Sequence, residues 1–389
     1  MRKLFYEDIN ITDFSATVLS CTYEEDKKLY KVLLDATAFF PEEGGQSADK
    51  GTLDNLNVAD VQIENDCIYH YVDKPLEAGA TVSGHVDWEQ RFDFMQQHSG
   101  EHIISGLVHK HFGYNNVGFH LSVNEVTLDF NGALTPADLV AIEKEANRVV
   151  FDNLPIQISY PTNEELAELT YRSKIEIEGQ VRIVTIPGID VCACCAPHVA
   201  YTGSIGLIKI VNAQSHRGGV RLNILCGNRA LEDYKAKQDS VVSISGLLSA
   251  KQNLVSDAVL RLKEDALRQK EKYNALQAEY LHLKVASLPA PTETENVVLF
   301  VDPMDTIAIR NAVNELTAHY TGYCAIFSGT QTDGYQFIAG SQSADCKILA
   351  QTLRENLGAK CGGNTPMIQG SITAAPEIIT QYICPDTQA

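Results

Sequence analysis

The chain has 389 residues, enough for two or three domains, and its 44% hydrophobic and 21% charged residues fit a soluble globular protein. No run approaches the roughly 20 apolar residues of a membrane span, and the opening MRKLFYEDINITDF lacks the apolar core of a signal peptide, so a cytoplasmic location with no membrane partner is expected. A net charge of −19 argues against broad, non-specific nucleic-acid binding but leaves room for a local basic groove, and ten scattered cysteines read as thiols or ligands and not as a disulfide scaffold.

Residues 1–85 read as all-β. ATVLSCTYEEDKKLYKVLLDATAFF alternates polar and apolar positions, with turns at EEDKK and PEEGGQ. NVADVQIENDCIYHYV continues with short strands, and closure into a small barrel is expected. Within this part, Thr37 to Gln46 carries a glycine pair, Gly44-Gly45, that permits a tight hairpin loop or close backbone approach to a ligand.

Residues 86–228 read as an α+β unit. Its first helix is predicted over about Trp88 to His111 and contains QQHSGEHIISGLV. His98 and His102 lie four apart, so a helix puts both imidazoles on one face, one turn above the other. A strand pair follows in GFHLSVNEVTLDFNG. LTPADLVAIEKEANRVVFDNL is predicted as a helix with Thr135 as N-cap and Pro136 in the first turn. QISYP and QVRIVTIP are predicted strands framing a helix at NEELAEL. Then comes DVCACCAPHVAYTG, where Cys194 stands four before His198. His-x3-His on a helix plus Cys-x3-His on a loop makes a borderline-soft set suited to Zn2+. Cys192 and Cys195 are competing thiols that spacing alone leaves open. Thr202 to Gly206 is a turn into a strand at Leu207–Val211, and HRGGVRLNILCG is a further strand carrying His216, Arg217 and Arg221.

Residues 229–288 are predicted to be helical, with a first helix near Arg229–Leu248. Leu262, Ala266, Gln269, Tyr273, Leu276, Tyr280 and Leu283 then advance by alternating fours and threes, a coiled-coil seam. A helical hairpin and a homodimer through it or through the last domain are expected. PAPTETE reads as a linker. Residues 295–389 are predicted to be a separate α/β domain, with strands at NVVLFVD, YCAIFSG and GYQFIAGS, helices at TIAIRNAVNELTAHY and ADCKILAQTLRENLG, a loop at Cys361-Gly362-Gly363-Asn364, and a final strand and helix.

Three function classes fit these residues. His98-Ser99-Gly100-Glu101-His102 is H-x-x-E-H, the inverted zinc-peptidase signature, with Glu101 as general base. A non-catalytic tRNA-binding or dimerising protein with a structural zinc is the second. The third follows from a resemblance carried by TAFFPEEGGQSADKG, RFDFMQQHSGEHIISGLV, CACCAPHVAYTGSIGLIKI, HRGGVRLNILCGNRALEDY and ADCKILAQTLRENLGAKCGGNTPMIQGS in that order. Together these resemble the alanyl-tRNA editing family, the editing half of alanyl-tRNA synthetase and its free-standing AlaX-type relatives in their long form. The last segment looks like the DHH-associated domain.

The resemblance implies a trans-editing hydrolase that deacylates tRNA(Ala) mischarged with Ser or Gly, with zinc on His98, His102, Cys194 and His198. It implies that Thr37 hydrogen-bonds the serine hydroxyl and that Gly44, Gly45 and Gln46 face the terminal adenosine or the ester. Arg217 and Arg221 are candidates for phosphate. The chain departs from the family in two motifs: Cys194-Cys195-Ala196-Pro197-His198 stands where the family usually has Cys-Gly-Gly-Thr-His, and the glycine run of the last domain is shortened to Gly362-Gly363. The resemblance does not reach the aminoacylation domain, and no Walker-type loop is present, so hydrolysis without activation is expected.

Overall fold

The computed structural model describes residues 1–173, 179–289 and 296–385, so the expected linker at PAPTETE lies, after Pro289, outside the described residues. The class is α+β, and the chain divides into two compact units, 1–240 and 241–389. None of the helices among the described residues is long and apolar enough to cross a membrane.

Six strands in the first part of this unit share one sheet: β1 (Asp13–Glu24), β2 (Leu29–Leu34), β3 (Gly51–Leu53), β4 (Leu56–Glu64), β5 (Cys67–Val72) and β6 (Thr81–Val86). They close into a barrel in the order β1-β2-β5-β4-β3-β6, and inward positions such as Val18, Val32, Leu34, Val61, Ile68 and Val82 fill it. The expected sequence alternation is thus the inside–outside alternation of a barrel wall.

Helix α1 (Trp88–Phe112) starts on Asp87, whose carboxylate accepts from the Gln90 amide, and stops on Gly113 in the left-handed region. A four-stranded antiparallel sheet follows, built from β7 (Asn116–Leu121), β8 (Val126–Phe130), and two strands from later in the chain, β12 (Ile208–His216) and β13 (Gly219–Cys226), in the order β12-β13-β8-β7. Helix α2 (Pro136–Phe151) carries the predicted cap: Thr135 and Asp138 bond reciprocally. A smaller sheet joins β9 (Gln157–Ser159), β10 (Ile183–Ile186) and β11 (Asp190–Ala193), with helix α3 (Asn163–Glu168) after β9. Helix α4 (Gly227–Leu247) follows β13. The unit's second core lies between α1, α2 and the four-stranded sheet and includes Phe94, Ile104, Leu107, Leu128, Val150, Leu222 and Ile224.

One detail of this unit differs from the sequence reading. His216 ends β12 and Arg217 sits in the hairpin turn at φ 46°, so only Arg221 of the three lies on β13. The Arg217-Gly218 pair breaks the strand because a two-residue hairpin needs positive φ at its tip.

In the second unit, helix α5 (Val255–Ala286) precedes a five-stranded sheet flanked by helices: β14 (Val297–Val301), α6 (Thr306–His319), β15 (Cys324–Thr330), β16 (Gly334–Gly340), α7 (Cys346–Leu357), β17 (Lys360–Asn364), β18 (Met367–Ile372) and α8 (Pro376–Ile383). The sheet order is β14-β15-β16-β18-β17, with β14 and β15 parallel and the rest antiparallel. Two expectations change here. Cys361 to Asn364 form edge strand β17 and not a loop, because the glycines pair with β18 through backbone alone. The α5 seam is exposed at Leu262, Tyr273, Leu276, Tyr280 and Leu283, while Gln277, Leu281 and Val285 are the buried positions of that stretch. Leu281 and Val285 pack with Leu299, Val313 and Leu316, so the stripe one residue round from the seam meets the core.

Candidate metal centre

Helix α1 is buried almost all round from Phe94 to Val108, polar residues included. It packs against α2, β11 and the four-stranded sheet, so each buried polar side chain needs a partner. Gly106 makes one approach possible: a Cβ there would stand 2.4 Å from the Ile189 carbonyl oxygen and 2.8 Å from the Asp190 Cβ. That contact seats α1 against β11.

The two predicted pairs meet. One ligand atom from each of His98, His102, Cys194 and His198 lies within 4.8 Å of the others. The ring centroids of His98 and His102 are 5.5 Å apart, and His198 lies 5.0 Å from His98 and 4.8 Å from His102. The Cys194 sulfur is 3.4 Å from His98 Nε2.

Outer partners orient the rings. His98 Nδ1 donates to Gln46 Oε1 at 2.8 Å, and His102 Nδ1 donates to Asp190 Oδ2 at 2.8 Å. Both rings therefore present Nε2 to the centre, as metal-binding histidines do. Asp190 is itself gripped by Arg172, Nε to Oδ1 at 2.7 Å and Nη2 to Oδ2 at 2.8 Å. Among the described residues no hydrogen bond satisfies His102 Nε2 or either nitrogen of His198, although all three are buried. Orphaned buried nitrogens cost about 1–3 kcal/mol each, a cost that a cation between them removes. The donor set and its unpaired atoms therefore fit a metal ion.

The charge balance agrees. Burial opposes ionisation of Cys194, yet the imidazoles of His98, His198 and His102 outweigh it and hold the thiol well below its ordinary value. Burial pushes His198 down to about 3, so its ring is neutral. Burial also opposes charge on His102, but Glu101 and Asp190 prevail and raise it well above the ordinary value; the position favours positive charge. Cys195 goes the other way, raised by burial and by Cys194. Of the three competing thiols, Cys194 belongs to the four-residue group. Cys192 instead joins His102 and Asp190 in a second group that could hold a metal, although both Asp190 oxygens are occupied by Arg172 and His102.

The loop before the barrel's third strand forms one wall. Gly45, at φ 83°, accepts the Leu121 amide at 2.7 Å, and a Cβ on it would stand 2.4 Å from the Phe119 carbonyl. Ser47 N–H donates to Leu121 O at 2.9 Å, so the loop is laid along β7 and is more than a hairpin turn. Gln46 is fully buried and its Nε2 has no partner. Gly44 lies beside the Cys195 sulfur.

Arg91 ties this loop to α1. Its guanidinium pairs with Asp49 and donates to the Ala38 carbonyl at 2.6 Å, and Asp49 accepts the Phe40 amide at 2.6 Å. On the other wall, Arg182 Nη1 donates to the carbonyls of Cys194 at 2.8 Å and Ala196 at 3.0 Å, and Ser99 accepts the Val199 amide at 3.2 Å.

The remaining predicted residues are placed as follows. Thr37, on the short strand Ala36–Thr37 that pairs with Arg2–Lys3, is buried, with its hydroxyl 2.7 Å from His70 Nε2. Glu101 accepts from Ser105 Oγ at 2.7 Å and Asn116 Nδ2 at 2.6 Å, and its Oε2 is 3.8 Å from His102 Nε2. Arg217 is exposed at the hairpin tip, and Arg221 gives Nε and Nη2 to Asp129, each at 2.6 Å. Sequence reasoning missed Asp190, Arg172, Arg91, Asp49, Arg182 and His70. Asp190, four before Cys194, and Asp49, three after Gln46, stand close enough in sequence to have been suspected.

Residues 181–222 match the family described as threonyl and alanyl tRNA synthetase second additional domain, and residues 4–90 match class II (A) tRNA synthetases. The chain is 28% identical to alanyl-tRNA editing protein Aarsd1 of Mus musculus over 96% of this chain and 94% of that one. It is 30% identical to the Danio rerio protein of the same name, over 67% of each. It is also 29% identical to the alanine–tRNA ligase of Ignicoccus hospitalis over 93% of this chain, and spans 40% of the ligase.

Proposed function

We propose that this chain, which belongs to the alanyl-tRNA editing protein family and is an aminoacyl-tRNA deacylase, hydrolyses the ester of tRNA(Ala) mischarged with serine, and secondarily with glycine. The reaction takes place in the cytoplasm at a zinc ion held by His98, His102, Cys194 and His198. One observation carries the reading: four candidate ligand atoms converge within 4.8 Å, and His102 Nε2 and both His198 nitrogens there are buried without a hydrogen bond among the described residues.

Zinc bound there supplies a template for the α-amino group or a water, and a Lewis acid. The protein's own residues do the positioning. Asp190 and Gln46 hold His102 and His98 in the tautomer that leaves Nε2 inward. The unpartnered Gln46 Nε2–H is a donor for the ester carbonyl or the terminal adenosine, with the Gly44 and Gly45 backbone beside it. An aminoacyl ester is already activated, so orientation supplies most of what hydrolysis requires. Thr37 meets the side-chain hydroxyl of serine, and a bound alanine leaves that contact unmade. Arg217 and Arg221 contact phosphate on the approach to the site.

The test is release of amino acid from Ser-, Gly- and Ala-tRNA(Ala) by the purified chain. Serine should leave at least about a hundredfold faster than alanine; a site built to hydrogen-bond a hydroxyl can reach about 10⁴–10⁵. Peptide cleavage with all three esters untouched would instead support Glu101 as the base of a peptidase.

A further inference from the structure

His70 is fully buried in the barrel, and no step above uses it. Its ring lies edge-on to Phe39 with centroids 5.4 Å apart, in a space an apolar side chain would fill without needing partners. Its Nδ1 faces the Val32 carbonyl oxygen at 3.4 Å, and its Nε2 faces Thr37 Oγ1 at 2.7 Å. A carbonyl oxygen only accepts, so the ring proton sits on Nδ1. Nε2 is then a lone pair, and the hydroxyl beside it must donate. Burial pushes the imidazole down to about 4, which keeps the ring neutral at pH 7.

Thr37 Oγ1 has one more partner: it accepts the Phe39 amide at 3.1 Å. A hydroxyl offers one proton and two lone pairs. The proton goes to His70 and one lone pair to Phe39. A single lone pair remains.

We propose that His70 is a positioning residue that fixes Thr37 as an acceptor, so that the site selects substrates whose side chain donates a hydroxyl proton. The inference rests on the reading that Thr37 meets the substrate side chain, and it adds a direction to that contact. Serine fits because its hydroxyl can donate. Alanine carries nothing that can, and a side chain that only accepts meets a lone pair and is refused. Without His70 the Thr37 hydroxyl is free to turn, and the site loses this sense of direction while keeping its shape.

Two measurements on the zinc-loaded full chain test this. Nitrogen-15 NMR of the unsubstituted protein, with the His70 signals assigned by their loss in His70→Gln, should report an Nδ1–H tautomer; an Nε2–H tautomer overturns the proposal. In deacylation assays, His70→Leu should lower the Ser/Ala rate ratio about tenfold, the effect of one lost hydrogen bond, with the alanyl rate unmoved. His70→Gln, which keeps an acceptor near Nε2, should stay within about threefold of the parent ratio. In a Thr37→Val background, His70→Leu should change nothing further. If Thr37→Val lowers the ratio and His70→Leu does not, His70 has no part in selection. If Thr37→Val itself leaves the ratio unchanged, the reading of Thr37 fails and takes this proposal with it. Should His70→Leu not fold, the tautomer still decides.

Discussion

Helix α1 buries 16 of its 25 residues, seven of them between Gln96 and His102 in unbroken succession, whereas helix α5 buries four of 32. The patterning runs opposite to the burial. Helix α5 carries a regular apolar seam and leaves it in solvent, while α1 takes imidazoles, amides and a carboxylate into the interior. Exposed apolar residues are common on any protein, but a buried polar cluster has to be explained group by group. Among the described residues, the buried side-chain atoms of α1 left without a hydrogen bond are Gln90 Oε1, in its first turn, and His102 Nε2, which belongs to the four-residue group.

The contrast can be broken at several points. The largest effect is expected at the ligands. His102→Ala and Cys194→Ala should each lose bound zinc and ester hydrolysis together, read by metal content and deacylation on one sample; full activity without metal in either variant would remove zinc from the reaction. Next comes the clamp between α1 and the loop. Arg91→Met leaves the Asp49 carboxylate buried without its cation, and stability should fall by about 3–5 kcal/mol in urea unfolding. A smaller shift would mean that water reaches Asp49.

Asp190→Asn should weaken zinc binding by about tenfold to a hundredfold in competition with a chromophoric chelator, because a neutral amide replaces the carboxylate that orients His102. Unchanged affinity would reduce Asp190 to a partner of Arg172. The smallest effect belongs to α5. Leu276→Glu should shift stability by no more than about 0.5 kcal/mol, as for other surface changes. A larger loss that depends on protein concentration would show a second chain covering the seam.

What could be read in advance followed sequence distance. The barrel, the helix over Trp88 to Phe112 and the Thr135 cap rest on local alternation and capping chemistry, and the chain displays both. The two pairs that meet in the His98, His102, Cys194 and His198 group were legible because each has a short fixed spacing. The partners that orient it were not: Gln46 reaches His98 across 52 residues, Asp190 reaches His102 across 88, and Arg91 reaches Asp49 across 42. Nothing local marks an arginine in a charged helix turn as buried. The α5 seam shows the converse, because a step pattern records which residues share a face and not what meets that face. The loop at Cys361 to Asn364 misled through composition, since glycines at a sheet edge pair as well as any residue.

The most direct measurement is deacylation of Ser-tRNA(Ala) beside Ala-tRNA(Ala) by the intact chain, before and after zinc removal by a chelator and again after zinc is restored. Serine release that is fast, spares alanine, stops with the metal and returns with it is the predicted result. Serine release that continues at full rate in metal-free protein would contradict the assignment of His98, His102, Cys194 and His198 as the centre of the reaction.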